Sequence, residues 1–426
     1  MRKPTLLQHL PRLAGTVLMF AAFTGCATPP AAAPAALGAT APESPLRAPS
    51  GPEGFDRWVA DFRVRARAAG IDEATLSAAL DGVQHLPRVV ELDRAQPEFT
   101  RTVWQYLDSA VSSQRVTQGQ DKLLQVQVQE GTGAAATRYG VPPGILVAIW
   151  GMESNYGGNF GNLPTIDALA TLGFDGRREA WARGQLLAAL TILQRGDIDR
   201  AHMVGSWAGA MGQTQFLPSV FLSHAVDADG DGRRDIWGSI ADVMASTANF
   251  LAHSGWQAGQ PWGLEVKLPR DFDVGRADPA LRQTSAQWAA EGVLAADGTP
   301  LPDLPDAALL LPAGARGPAF LTGPNFRTLL RYNNATSYAL GVGLLAQRLG
   351  GGPGVQAPWP RDLQPLTRSQ LLEMQIALNE RGFASGTPDG VVGPATRGAL
   401  RLYQRSLGLA ADGYPTLELL QRLQQP

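Results

Sequence analysis

Pro142 and Pro143 open a run of residues that Gly157 and Gly158 close, and most of the residues between them are apolar. Proline suits the first turn of a helix and glycine its exit, so the run predicts one short helix. Ile145, Ile149 and Met152 recur at helical spacing and form an apolar face that other elements must cover. Glu153 follows Ile149 by four residues, which places it on or beside that face. A carboxylate there is partly desolvated and sits near the negative end of the helix dipole. Both effects raise its pKa. A carboxyl group that keeps its proton near neutral pH can protonate a glycosidic oxygen. The same spacing accommodates an ordinary surface Glu at a helix end, so the helix alone leaves two readings open.

With 426 residues, the chain is long enough for two or three domains. Its formal net charge is -2, and residues 1–25 carry Arg2, Lys3 and Arg12 with no acid, so without them it is near -5. That balance argues against nucleic acid or another polyanion as the main partner. The five histidines are unclustered, and no His-Glu-x-x-His pattern points to zinc. The only cysteine is Cys26, which excludes an intramolecular disulfide. A basic head, an apolar stretch over 13–23 and Thr24-Gly25 before Cys26 describe a secretory signal peptide with a lipobox-like end. Cleavage there would leave Cys26 N-terminal and open to acylation. An ordinary signal peptide with an incidental cysteine is the alternative. Ala27 after the cysteine resembles lipoproteins of the outer membrane that face the periplasm. Residues 26–50, rich in Ala and Pro, read as a disordered tether.

From Phe55 to about Gly350 the pattern is mostly helical. A more irregular stretch over about 260–320 contains a strand at 262–268 and several Pro and Gly turns. Residues 351–362 read as a linker, and a small C-terminal unit occupies 363–426. Two further segments carry polar chemistry. Over 206–218, Ala208, Gly209, Ala210 and Gly212 permit close approach to the backbone. In the same segment Ser206, Gln213 and Gln215 supply neutral donors and acceptors suited to hydroxyls and acetamides. A packed helix crossing would use the same small residues. Over 331–340, Asn333 and Asn334 precede a helix with Tyr332 and Tyr338, and capping by at least one Asn is expected.

Together these segments resemble the lytic murein transglycosylase B family of bacterial cell-wall enzymes. The resemblance runs over about 55–350. It rests on the Gly-Val-Pro-Pro lead into Glu153-Ser154, the run 168–172, the segment 208–218 and the Tyr332-Asn-Asn…Tyr338-Ala pattern, in that order. It implies a mainly α fold: a lysozyme-like catalytic domain with helical extensions and a small β-containing segment, followed by a small three-helix C-terminal domain. It places Glu153 at the family's acid/base position and Ser206, Gln215, Asn333 and Tyr338 at glycan-contacting positions. It aligns Tyr106 with an aromatic lining the cleft. The implied reaction cuts between N-acetylmuramic acid and N-acetylglucosamine in peptidoglycan glycan strands and closes a 1,6-anhydro ring, with no cofactor needed for the chemistry. No second carboxylate stands out near Glu153, and the nearest downstream acid, Asp167, falls in a structural run.

Residues 227–238 match an EF-hand calcium loop at Asp227, Asp229, Asp231, the Arg233 carbonyl and Asp235, with Gly232 at the sharp turn. Position twelve is Gly238, so Asp242 is the candidate for the missing ligand. A solvated acidic turn is the alternative to a structural Ca2+. The C-terminal segment, with its Asp-Gly turns at 389–390 and 412–413, resembles a three-helix peptidoglycan-binding module, with a helical protein-interaction domain as the alternative. Gly393 and Gly413 are expected to need unusual dihedrals. A hydrolytic muramidase and an inactive wall-binding scaffold are the competing functional readings.

Overall fold

The computed structural model describes residues 52–95, 101–128 and 132–425. The expected signal peptide, Cys26 and the tether lie outside the described residues. Among those described, no helix is long and apolar enough to cross a membrane.

The fold is mostly helical, with small antiparallel sheets. Its centre is the helix Pro143–Ser154. Leu146, Val147, Ala148 and Ile149 on it are fully buried. The helix is therefore apolar on every side, which is the signature of a core helix. It packs between the helices Thr336–Leu349 and Ser113–Val128. The surrounding core draws residues from Phe55 to Leu349, so the helical body is one hydrophobic unit. A smaller satellite core under Trp181 and Trp207 contains Val89, Ala168, Leu172 and Ala182.

The strand expected at 262–268 is present as Gly263–Lys267. It lies inside a four-stranded antiparallel sheet, between Leu294–Ala295 and Ala319–Thr322, with Ala308–Leu310 at the far edge. Val266 pairs with Ala319 and Leu264 with Leu321. The sheet covers its own core around Trp288, Leu309 and Leu321.

Residues 351–362 form a packed strap. The Glu265 carboxylate accepts the main-chain N–H groups of Gln356 and Ala357, each at 2.7 Å. Arg361 makes a two-pronged pair with Asp108 at 2.8 and 2.9 Å, and Trp359 packs on Trp104.

The C-terminal unit has the expected three helices, Arg368–Glu380, Pro394–Ser406 and Leu417–Gln424, around a core of its own. A buried glutamine clamps each Asp-Gly turn. The Gln375 Oε1 accepts from the N–H groups of Asp389 and Gly390, and the Gln404 Oε1 accepts from that of Gly413. The positive φ falls at Gly390 and Gly413, while Gly393, at φ -88°, is the N-cap of the middle helix. The expectation for Gly393 is corrected on that point, because the turn completes before Gly393 is reached. The unit docks on the β-containing segment. Arg401 reaches Asp278 at 2.6 Å and the Ala277 carbonyl at 2.8 Å, and Asp412 accepts the Ala315 N–H at 2.8 Å.

Candidate active site

Glu153 occupies the last turn of the central helix and is 3% exposed. Removal from water pushes its carboxyl up to about 7, and the Tyr338 hydroxyl, directed at it, opposes the shift. That hydroxyl is buried and closes no hydrogen bond of ordinary geometry, so it faces the carboxyl unpaired. Burial and the nearby Glu153 together raise the phenols of Tyr106, Tyr332 and Tyr338. One carboxyl thus stands among three neutral phenols. The half-buried Tyr106 reaches the group from an upstream helix, where its ring and the Met152 side chain both press on Gly341. Tyr332 stacks on Tyr338 at 6.4 Å and donates to the Thr214 carbonyl at 2.7 Å.

The central helix ends at Ser154 by a different device from the glycine exit expected. Asn155 is its C-cap at φ 50°, followed by Tyr156 at φ 58° and Gly157 at φ 82°. Left-handed backbone at two non-glycine residues is sustained only where packing over-determines it. Here the Tyr156 hydroxyl donates to the Arg115 carbonyl at 2.9 Å, and its ring packs edge-on to Trp150 at 5.7 Å. Gly151 and Gly119 leave the room for that ring: a Cβ on Gly151 would lie 2.6 Å from it and one on Gly119 2.2 Å from its hydroxyl.

The segment 206–218 is a tight loop. Ser206, half-buried, accepts the Ala210 N–H on its hydroxyl at 3.1 Å and donates its own N–H to the Ala210 carbonyl at 2.8 Å. The small residues serve close packing of the chain on itself: a Cβ on Gly209 would meet Leu169 at 2.6 Å, and one on Gly212 would meet Ile236 at 2.7 Å. Gln215 has φ 52°, and its amide donates to the carbonyls of Phe160 at 2.9 Å and Gly212 at 3.0 Å. Its Oε1 is the group it can offer a ligand. Asn333, half-buried, caps the C-terminus of Pro324–Tyr332, and the next helix starts from Ala335 with no side-chain cap. Neither asparagine caps that helix as expected, because the chain leaves one helix and enters the next within three residues.

Glu153, Tyr106 and Tyr338 are brought together directly. Gln215 is bonded instead to Phe160 and Gly212, Ser206 to Ala210, and Asn333 ends the helix Pro324–Tyr332. Tyr332, six residues before Tyr338, joins the group without having been singled out for it; its place beside Asn333 in the same motif was the available signal. Asp167 is structural: its oxygens accept from the Gln84 N–H at 2.8 Å and from Arg200 at 3.0 Å.

In the acidic loop, carboxylate oxygens of Asp227, Asp229 and Asp242 lie within 4.8 Å of one another. Asp242 is fully buried, and burial with repulsion from Asp229 and Asp227 raises it to about 6. Hard oxygen donors crowded in this way fit a divalent cation such as Ca2+. Asp231 accepts the Arg233 N–H, and Asp235 accepts those of Trp237 and Gly238, so both shape the loop around the three carboxylates. Gly232 has φ 88°, as its place at the sharp turn requires.

Residues 54–347 match the family model described as a transglycosylase SLT domain. The chain belongs to that family. Residues 367–423 match a putative peptidoglycan binding domain. The chain is 35% identical over 228 residues to membrane-bound lytic murein transglycosylase B of Escherichia coli, a match covering 52% of this chain and 60% of that relative. Among solved structures, SltB3 from Pseudomonas aeruginosa in complex with NAG-anhNAM-pentapeptide is 52% identical at a TM-score of 0.85, covering 87% of this chain and 99% of that one. The Escherichia coli lytic transglycosylase Slt35 in complex with calcium is 31% identical at a TM-score of 0.59, covering 69% and 92%.

A buried acid that holds its proton imposes a pH signature on stability. The folded chain binds that proton up to about pH 7, whereas the unfolded chain releases it near 4.5. Stability is therefore highest below the unfolded value and falls as pH rises through this window. Glu153→Gln removes the buried charge, so it should match the native chain near pH 4 and exceed it at pH 8 by on the order of 3 kcal/mol. Denaturant melts of both proteins at the two pH values measure this. A gap that does not widen with pH would count against the raised acid.

Proposed function

We propose that this chain is a peptidoglycan lytic transglycosylase that cuts the β-1,4 bond between N-acetylmuramic acid and N-acetylglucosamine. The observation that carries the reading is Glu153, a carboxyl buried among phenols and held near neutral pKa. Protonated Glu153 donates to the oxygen joining the two sugars. The positive charge developing at the muramyl anomeric carbon is stabilised by the substrate's own acetamide, so no second enzymic carboxylate is needed. The anionic Glu153 then takes the proton of the muramyl C6 hydroxyl, whose oxygen closes on C1 to give the 1,6-anhydro end. An internal hydroxyl attacks with an entropic advantage over free water. Tyr106, Ser206, Gln215, Asn333 and Tyr338 line the glycan on this reading. The anhydro-sugar ligand of the SltB3 relative supports the same product class.

The division of labour follows. Residues 51–350 form the catalytic unit, and 363–426, joined to it by 351–362, hold the wall near the cleft and raise the local substrate concentration. Asp227, Asp229 and Asp242, with Asp231, Asp235 and the Arg233 carbonyl as further ligands, hold a structural Ca2+. Bound there, the ion neutralises the crowded carboxylates. The calcium complex of Slt35 supports this assignment. Cys26 is acylated after signal-peptide cleavage and anchors the chain to the outer membrane, facing the periplasm.

Digestion of purified sacculi followed by mass spectrometry should give anhydro-muramyl ends, and Glu153→Gln should abolish them while sacculus binding persists. Reducing ends would mark a hydrolytic muramidase instead. For the ion, adding Ca2+ to chelator-treated protein should raise the melting temperature by about 1–3 °C, what 1–2 kcal/mol gives a chain of this size. An unchanged midpoint would leave the loop a solvated acidic turn. Intact mass of membrane-extracted protein should show a lipid-modified N-terminus at Cys26 that Cys26→Ser lacks; an unmodified, soluble native chain would rule out the anchor.

A further inference from the structure

Gln213 sits two residues before Gln215, in the loop expected to present neutral polar groups to sugar, yet its side chain faces inward and is 6% exposed. Its Oε1 accepts the Trp150 indole N–H at 2.7 Å. Its Nε2 donates to the Trp237 carbonyl at 2.6 Å, and its main-chain N–H donates to the Ile236 carbonyl at 2.8 Å. Trp150 stands one helical turn before Glu153 on the central helix. The Ser154 hydroxyl donates to the Trp150 carbonyl at 3.1 Å and accepts the Gly157 N–H at 3.1 Å. The left-handed turn that follows Glu153 also rests on the same amide: a Cβ at Gly157 would lie 2.4 Å from the Gln213 Oε1. On its other side, Trp237 donates its N–H to Asp235, whose own N–H donates to Asp242. Gln213 therefore joins the end of the acidic loop to the helix that carries Glu153.

We propose that Gln213 is a positioning residue. Acting through Trp150 and the turn at Gly157, it holds the Glu153 carboxyl at the angle from which it delivers its proton. The inference rests on the reading of Glu153 as the proton donor. The physical ground is geometric. A carboxyl on the final helical turn, next to a strained turn, is free to pivot unless both are braced. Small displacements of a proton donor from its productive position are costly, on the order of 100-fold for about 1 Å. The amide is suited to the task because it accepts on one side and donates on the other. Leu at this position leaves a buried indole N–H and a buried carbonyl unpaired. Glu, once ionised, keeps an acceptor for Trp150 but sets a second acceptor against the Trp237 carbonyl, which separates the two halves of the brace.

The test uses the full chain with purified murein glycan strands and compares native protein with Gln213→Leu, Gln213→Glu, Trp150→Phe and the double variant Trp150→Phe/Gln213→Leu. All are measured at a temperature where circular dichroism shows them folded. The expected result for Gln213→Leu is a fall in kcat of about tenfold or more with KM within about twofold, as for an interaction expressed in the transition state. The double variant should be no slower than Gln213→Leu alone, since both changes remove the same bond. Carboxyl-carbon NMR should show the Glu153 titration displaced from its native midpoint in each variant. Folded variants with native kcat, additive losses, or an unmoved Glu153 titration would overturn the proposal. If Gln213→Leu does not fold, Trp150→Phe, which removes only the donor, carries the same readouts. If the native chain itself cleaves no glycan, the functional reading fails, and the Glu153 titration together with exchange protection of the Trp150 indole N–H still decides whether Gln213 sets the carboxyl.

Discussion

Desolvation of one carboxyl group is the constraint around which the structure is arranged. Glu153 goes into the interior because its helix is apolar on every side and has no exposed face to offer it. A buried carboxylate without a cation is costly, so the group keeps its proton to near pH 7. Its surroundings follow from that choice. The groups beside it are the phenols of Tyr106, Tyr332 and Tyr338, which carry no charge of their own near neutral pH and whose ionisation Glu153 further opposes. An arginine in the same place would have drawn the proton off and left a permanent anion.

Placing a reactive group at the very end of a helix has a backbone consequence. The chain must turn sharply after Ser154, and it does so through three successive left-handed residues, two of which have side chains. Neighbouring elements offset the strain. Gly119 and Gly151 make room for Tyr156, and the Gln213 amide fills the space under Gly157. Glycines in the 206–218 loop serve the same end, letting the loop close on Leu169 and Ile236 so that Gln215 reaches Phe160. Rigidity at the site is thus distributed over several segments besides the helix that carries Glu153.

The outer parts are fastened with the same economy of polar groups. The C-terminal unit rests on the β-containing segment through Arg401 and Asp412, and the strap from 351 to 362 is held by Glu265 and Asp108. Asp108 belongs to the short helix that also carries Tyr106. The strap therefore ties the helix of Tyr106 to the chain entering the C-terminal unit. On the proposed function, a fixed relation between the wall-holding unit and the cleft would present the glycan in a defined direction.

Local pattern was enough for features whose physics is local. The proline-led apolar run announced the central helix and its carboxyl. Four aspartates in nine residues announced an acidic loop, and the turns at Asp389 and Asp412 announced three short helices. Properties that depend on neighbours distant in the chain were beyond it. Pattern placed Tyr106 only by resemblance, because 47 residues separate it from Glu153 and folding alone sets them side by side. A cap at the next helix start is expected from at least one of Asn333 and Asn334, yet Asn333 ends the preceding helix and the next has no side-chain cap, because the length of the connection decides which helix an amide can serve. Gln213 and Gln215 are alike in composition and both buried, but only Gln213 bridges an indole N–H and a carbonyl on separate elements. The amino-acid sequence by itself determined that an acid would ride near the end of a short helix with an apolar face. Only the tertiary structure decided how acidic that group is and which way it points, because desolvation and hydrogen bonding are summed over every element that packs around it.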